Sequence, residues 1–175
     1  TELELAWQFQ TGDMKARPND VKFSAFEATP IFAEDSLILC TPFNEVVALD
    51  PGDGQPLWRY DPLIATGYRP NNQFVCRGIA YWQDPIALPG QACASRVFMG
   101  TNDARLIALD AKTGKVCNSF GDGGQINIKI GMELTGPWEF QVTSAPLVTG
   151  NVVIVGSSIG DNQRADAPKG SVRAF

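Results

Sequence analysis

Hydrophobic positions in this chain fall into short runs rather than helical stripes. "EVVAL" (45–49), "RLIAL" (105–109) and "VVIV" (152–155) are strand-sized, and each is bounded by turn-forming residues. "TPIFAEDSLILCTP" (29–42) splits into two apolar runs around Glu34-Asp35. "APLVTGNVVIVGSS" (145–158) splits around Thr149-Gly150-Asn151, and "SRVFMGTNDARLIAL" (95–109) around Thr101-Asn102-Asp103. Each split predicts an antiparallel hairpin. No segment carries apolar residues at i, i+3, i+4 and i+7 convincingly, so no substantial helix is predicted.

The runs repeat. "VVALDPGDGQPL" (46–57) returns as "LIALDAKTGKVC" (106–117), with Ala, Leu, Asp and the later Gly in step. Asp50 and Asp110 are placed to accept backbone N–H bonds in a turn. Gly54 and Gly114 supply the positive φ that closes it. A strand is expected after each turn, "QPLWRY" (55–60) and "KVCNSF" (115–120). A third copy begins at "SVRAF" (171–175). A period near 60 residues (Ala48 to Ala108) with several short strands per unit predicts radially repeated four-stranded sheets, a β-propeller. Each sheet needs neighbours to cover its faces. Trp7 and Trp58 are large flat side chains suited to the space between blades, whereas Asn118 stands where a second Trp58 would fall.

Composition narrows the chemistry. Apolar residues make up 44% and charged residues 19% of 175 residues, and Gly (17) and Pro (12) suit many tight turns. A net charge of −5 argues against nonspecific nucleic-acid or anionic-membrane binding. The apolar runs fall far short of the ~20 residues needed to cross a bilayer. No leader sequence is visible, and a chain starting at Thr1 is expected to have lost upstream residues. There is no histidine, so Ser/His and Cys/His nucleophiles are excluded within the chain. Cysteines at 40, 76, 93 and 117 form no CxxC, which disfavours zinc. They allow three pairings in an oxidising compartment, or stay buried thiols in a reducing one. Cys93 and Cys117 flank a predicted hairpin that a disulfide could close.

The "ALDxxTGKxxW" pattern resembles the blade motif of the quinoprotein dehydrogenases that use pyrroloquinoline quinone (PQQ). "LELAWQFQTGD" (3–13), "EATP" (27–30), "CRGIAYW" (76–82), "TSAP" (143–146), "VGSSIGDN" (155–162) and "GSVRAF" (170–175) follow the order and spacing of that family. They look closest to its membrane-associated glucose, quinate and polyol branch. The resemblance implies an all-β fold, part of an eight-bladed propeller, with residues 1–175 as a partial domain of two to three N-terminal blades. It implies PQQ and calcium as cofactors and an alcohol, sugar or cyclitol as substrate. It also implies a respiratory quinone or other electron acceptor, the remaining blades as structural partners, and no nucleic acid.

By the same resemblance Glu27, Arg77, Thr143 and Ser158 touch PQQ, and Asp161 and Asn162 bind the metal. A guanidinium suits the carboxylates of PQQ because it presents a planar fork of donors. Oxygen side chains suit calcium. The catalytic base is expected beyond residue 175, so no catalytic residue is assigned. A periplasmic location is implied, with any membrane anchor outside these residues. Gln73 departs from the glucose branch, which carries His there, and leaves quinate or polyols open. Cys76 has no adjacent cysteine, so the vicinal disulfide of the alcohol branch cannot form. The competing reading is a non-catalytic propeller that serves as a scaffold or binding module.

Overall fold

The apolar runs become strands because both faces of each central strand are covered. A computed structural model describes residues 2–175. The first sheet is antiparallel, in the order β1 (Ile31–Ala33), β2 (Ser36–Cys40), β3 (Val46–Leu49), β4 (Pro56–Tyr60). The second follows the same plan, with β5 (Ala80–Gln83), β6 (Ser95–Gly100), β7 (Arg105–Asp110) and β8 (Gln125–Asn127). A short pair, β9 (Phe140–Gln141) and β12 (Ser158–Ile159), precedes and follows the hairpin of the third sheet. That sheet contains β10 (Leu147–Thr149), β11 (Val152–Val155) and β13 (Arg173–Ala174). Among the described residues helix is confined to α1 (Asp13–Ala16) and two 3₁₀ turns, Val21–Phe23 and Pro137–Glu139.

The repeat is a register, not only a likeness of letters. Ala48 pairs with Ile38, Ala108 with Phe98, and Ala174 with Ile154. Side chains alternate across a strand, so each sheet sends one set to each neighbour. Ile38, Val46 and Ala48 pack with Val97, Met99, Ile107 and Leu109 between the first and second sheets. Phe98, Leu106 and Ala108 pack with Phe140, Val142, Val153 and Val155 on the other side of the second sheet. Leu39, Val47 and Leu49, on the outer face of the first sheet, are covered by Trp7 and Phe9.

The predicted turns form as the sequence requires. Glu34 and Asp35 lie at φ 50° and 55° and join Ala33 to Ser36 as a two-residue hairpin loop. The Asp110 carboxylate accepts the N–H groups of Lys112 and Thr113, and the Gly114 N–H bonds to the Asp110 carbonyl at 2.9 Å. Gly54 and Gly114 sit at φ 74° and 67°. Their second role is room for an indole. A Cβ on Gly54 would lie 2.5 Å from Trp7 Cε3, and one on Gly114 would lie 2.4 Å from Trp58 Cε3. Trp7 therefore stands to the first sheet as Trp58 stands to the second.

One predicted strand is corrected. "KVCNSF" (115–120) does not run along β7 as one strand; only its start pairs, with Val116 bridging Leu109 and the Cys117 N–H donating to the Ala108 carbonyl at 2.9 Å. Cys117 is tied to Cys93, and Gly121, Gly123 and Gly124 take φ of 56°, 59° and 88°. The chain thus bulges outward, and Gly124 re-enters the ladder by accepting the Ala108 N–H at 3.0 Å. The flanking strand is the later β8. The second disulfide, Cys40–Cys76, joins the first sheet to the segment entering the second.

Candidate functional site

The segments that enter successive sheets lie side by side. Thr29 N–H donates to the Arg77 carbonyl, and Arg77 N–H to the Thr143 carbonyl, each at 2.9 Å. Farther back, Ser24 bridges Phe74 in parallel. The close approach depends on Gly78, where a Cβ would lie 3.2 Å from Ala145 Cβ and 3.6 Å from the Thr29 carbonyl oxygen. Three sequence-predicted residues, Glu27, Arg77 and Thr143, are thereby carried on adjacent backbones.

Arg77 Nε lies 3.0 Å from Glu27 Oε2, and both side chains are part-exposed, at 39% and 41%. Gln73 Nε2 donates to the other carboxylate oxygen of Glu27 at 3.3 Å. Glu27 is thus held on both oxygens, and Arg77 is oriented through Nε with no second acidic partner among the described residues. Thr143 is nearly buried at 6% exposure.

Ser158, Asp161 and Asn162 form a second group. With Asn71, Asn72 and Gln163 they line an open polar depression of about 490 Å³. Asn71 Nδ2 donates to the Ile159 carbonyl at 2.6 Å. Beneath the 160–164 loop, Glu139 is fully buried. It accepts from Thr135 N–H at 2.6 Å, Thr135 Oγ1 at 2.8 Å and Arg164 Nε at 2.7 Å, while its carbonyl takes the Gly160 N–H at 2.9 Å. Burial pushes the Glu139 carboxyl up, but the Thr135 N–H, Arg164 and the Thr135 hydroxyl together hold it below the ordinary glutamate range. The loop bearing Asp161 and Asn162 is therefore pinned at both its start and its end.

Segment 71–77 links the two groups. Asn71 and Asn72 line the depression, Gln73 reaches Glu27, and Arg77 follows. Asn71, Asn72 and Gln141 were not singled out from the sequence. The polar run "NNQ" (71–73) just ahead of "FVCRG" was the available signal. The half-open, mostly apolar cavity of about 480 Å³ beside Trp82, Arg96, Phe98 and Phe120 contains none of the predicted site residues.

The donor set fits PQQ in chemistry. Arg77 supplies a cation, Gln73 an amide, and Thr143 and Ser158 hydroxyls. The fit to calcium is partial. That ion takes ~6–8 oxygens, and among the described residues no group of three acidic, Cys or His side chains could hold a metal. Asp161 is the one carboxylate lining the depression.

The sequence profile of the family described as PQQ: glucose/ethanol/alcohol dehydrogenase, beta-propeller domain, matches residues 1–175. The glycerol dehydrogenase large subunit of Gluconobacter thailandicus is 36% identical over 175 residues, covering 100% of this chain and 23% of its own. The quinate/shikimate dehydrogenase (quinone) of Acinetobacter baylyi is 35% identical over 191 residues, again 100% of this chain and 23% of the relative. Among solved structures, the quinohemoprotein alcohol dehydrogenase from Comamonas testosteroni superposes with a TM-score of 0.67 at 29% identity, over 87% of this chain and 19% of that one. The chain spans less than a quarter of the length of these relatives.

Proposed function

The chain belongs to the β-propeller family of PQQ-dependent glucose, ethanol and alcohol dehydrogenases, and from that premise we propose that it forms the first blades of a dehydrogenase acting on an alcohol, sugar or cyclitol. Glycerol-, glucose- and quinate-like polyols define the substrate class. Residues 1–175 act as a partial propeller domain whose ring is completed by further blades. The acceptor is a quinone or another respiratory carrier. Two disulfides among four cysteines suit an oxidising compartment, which supports a periplasmic location. No helix among the described residues is long and apolar enough to cross a membrane.

PQQ, when bound, supplies an ortho-quinone that accepts hydride, and a divalent cation such as calcium polarises its carbonyl. The residues of this chain bind and orient. Arg77 presents its terminal N–H groups to carboxylate or carbonyl oxygen, with Glu27 fixing the guanidinium plane through Nε. Thr143 and Ser158 offer hydroxyl donors, and Gln73 keeps Glu27 from swinging away. Asp161 and Asn162 would offer two of the oxygens that such a cation takes. The Thr29–Arg77–Thr143 backbone bonds keep Glu27, Arg77 and Thr143 at fixed spacing.

The observation that carries the reading is the junction of Glu27, Arg77 and Thr143, residues from three sheet-entry segments far apart in sequence. The test is Arg77→Ala in the full-length apoprotein, titrated with PQQ and calcium and followed by cofactor fluorescence. Losing a hydrogen bond to a charged group costs about 1.5–3 kcal/mol, so PQQ affinity should fall by at least about tenfold. Unchanged affinity would reject the role of Arg77. Absence of dye reduction with glycerol, glucose and quinate by folded, PQQ-loaded protein would reject the enzyme.

A further inference from the structure

Three fully buried amides run behind the site: Asn44, Asn102 and Gln141, each 0% exposed. They come from three successive repeats. Asn44 lies in the β2–β3 loop, Asn102 in the β6–β7 loop, and Gln141 on β9. Asn102 donates through its backbone N–H and Nδ2 to Asn44 Oδ1, at 2.8 and 2.7 Å, and through Nδ2 to the Pro42 carbonyl at 3.1 Å. Asn102 Oδ1 accepts from Gln141 Nε2 at 3.0 Å.

The ladder ends on backbone. Gln141 Oε1 accepts the Asn72 N–H at 3.3 Å, Gln141 Nε2 reaches the Gln73 carbonyl at 3.4 Å, and Asn102 Oδ1 takes the Val75 N–H at 3.5 Å. This stretch lies outside the named strands, with a single bridge at Phe74. Phe74 exchanges backbone bonds with Phe23 and Ala25, whereas the Asn72 N–H, the Gln73 carbonyl and the Val75 N–H go to the side chains of Gln141 and Asn102. A buried amide is costly unless its donors and acceptors are met, and these meet one another and then the segment that carries Gln73 and Arg77. The neighbouring residues are fixed too. Phe74 packs on Phe43 and Tyr68, and Cys76 is tied to Cys40.

We infer that Gln141 and Asn102 are positioning residues, which hold backbone 72–75 so that Gln73 and Arg77 meet Glu27 in the geometry that receives PQQ. The inference rests on the assignment of Arg77 to that cofactor. It makes cofactor affinity a property shared by three blades, since a side chain of the third sets the backbone that precedes the second.

A double-mutant cycle in the full-length apoprotein tests it. Gln141→Met keeps shape and removes the hydrogen bonds. It should weaken PQQ binding about tenfold in the parent background and less than about twofold in an Arg77→Ala background, because two residues acting through one contact are not additive. Amide hydrogen exchange over residues 71–77 should rise in Gln141→Met. Additive penalties, or wild-type affinity for Gln141→Met, would overturn the positioning role alone. Unchanged affinity in Arg77→Ala by itself would remove the site assignment, and the positioning role with it. If melting shows that Gln141→Met does not fold, Asn102→Ser is carried through the same cycle with the same criteria.

Discussion

At the scale of single residues, one glycine does two jobs. Gly114 takes a left-handed φ of 67° and leaves space for the Trp58 ring, 2.4 Å from where a Cβ would sit. Gly12 has a similar φ of 77° but nothing within 4 Å of its absent Cβ. Comparing the two separates backbone strain from stacking. Gly12→Ala should cost about 1 kcal/mol, the usual left-handed penalty. Gly114→Ala should cost about 1–3 kcal/mol more, because the indole must move out of a packed interface. Urea denaturation of both variants checks the difference; equal costs would mean that the Trp58 stack contributes nothing. The same contact accounts for the doubled motif, since the glycine of one repeat receives the tryptophan of the preceding one.

At the scale of elements, turn chemistry and the short apolar runs buried on both faces were legible in the sequence. Asp50, Asp110, Glu34-Asp35 and the "VVAL" and "LIAL" runs sit where their residue types place them. The outer strand of the second sheet was not legible, because "KVCNSF" holds the place in the second repeat that "QPLWRY" holds in the first. What overrides that pattern is a long-range tie, Cys117 to Cys93, together with three glycines in left-handed conformation. The buried amides were missed for a related reason. Asn102 reads as an ordinary turn residue, and only the tertiary fold shows that it faces Asn44.

The two disulfides should also differ in consequence. Each closes a loop, of sequence separation 24 or 36, whose removal should cost about 2–4 kcal/mol by raising the entropy of the unfolded chain. Cys93→Ala with Cys117→Ala should lower stability and leave PQQ affinity unchanged. Cys40→Ala with Cys76→Ala should lower both, since Cys76 adjoins Arg77. Denaturation and cofactor titration on the two double variants distinguish a staple from a staple that also supports the site.

At the scale of the whole molecule, register shows which surface is an interface. Ile31, Ile38 and Ala48 align across the first sheet and face the second. Ala80, Phe98 and Ala108 align across the second, and Phe98 and Ala108 face the third. The corresponding line on the third sheet is Leu147, Ile154 and Ala174, and Leu147 is 61% exposed. If repetition governs the architecture, this line is where a further blade packs in the longer protein. Leu147→Lys separates the two settings. In residues 1–175 alone it should change stability by no more than about 0.5 kcal/mol, as an exposed substitution does. In the protein that carries the following blades it should cost about 3 kcal/mol or more, the lost apolar burial plus an unpaired charge. Equal effects in both settings would mean that the line faces solvent in the assembled ring, and that the third sheet does not continue the packing rule of the first two.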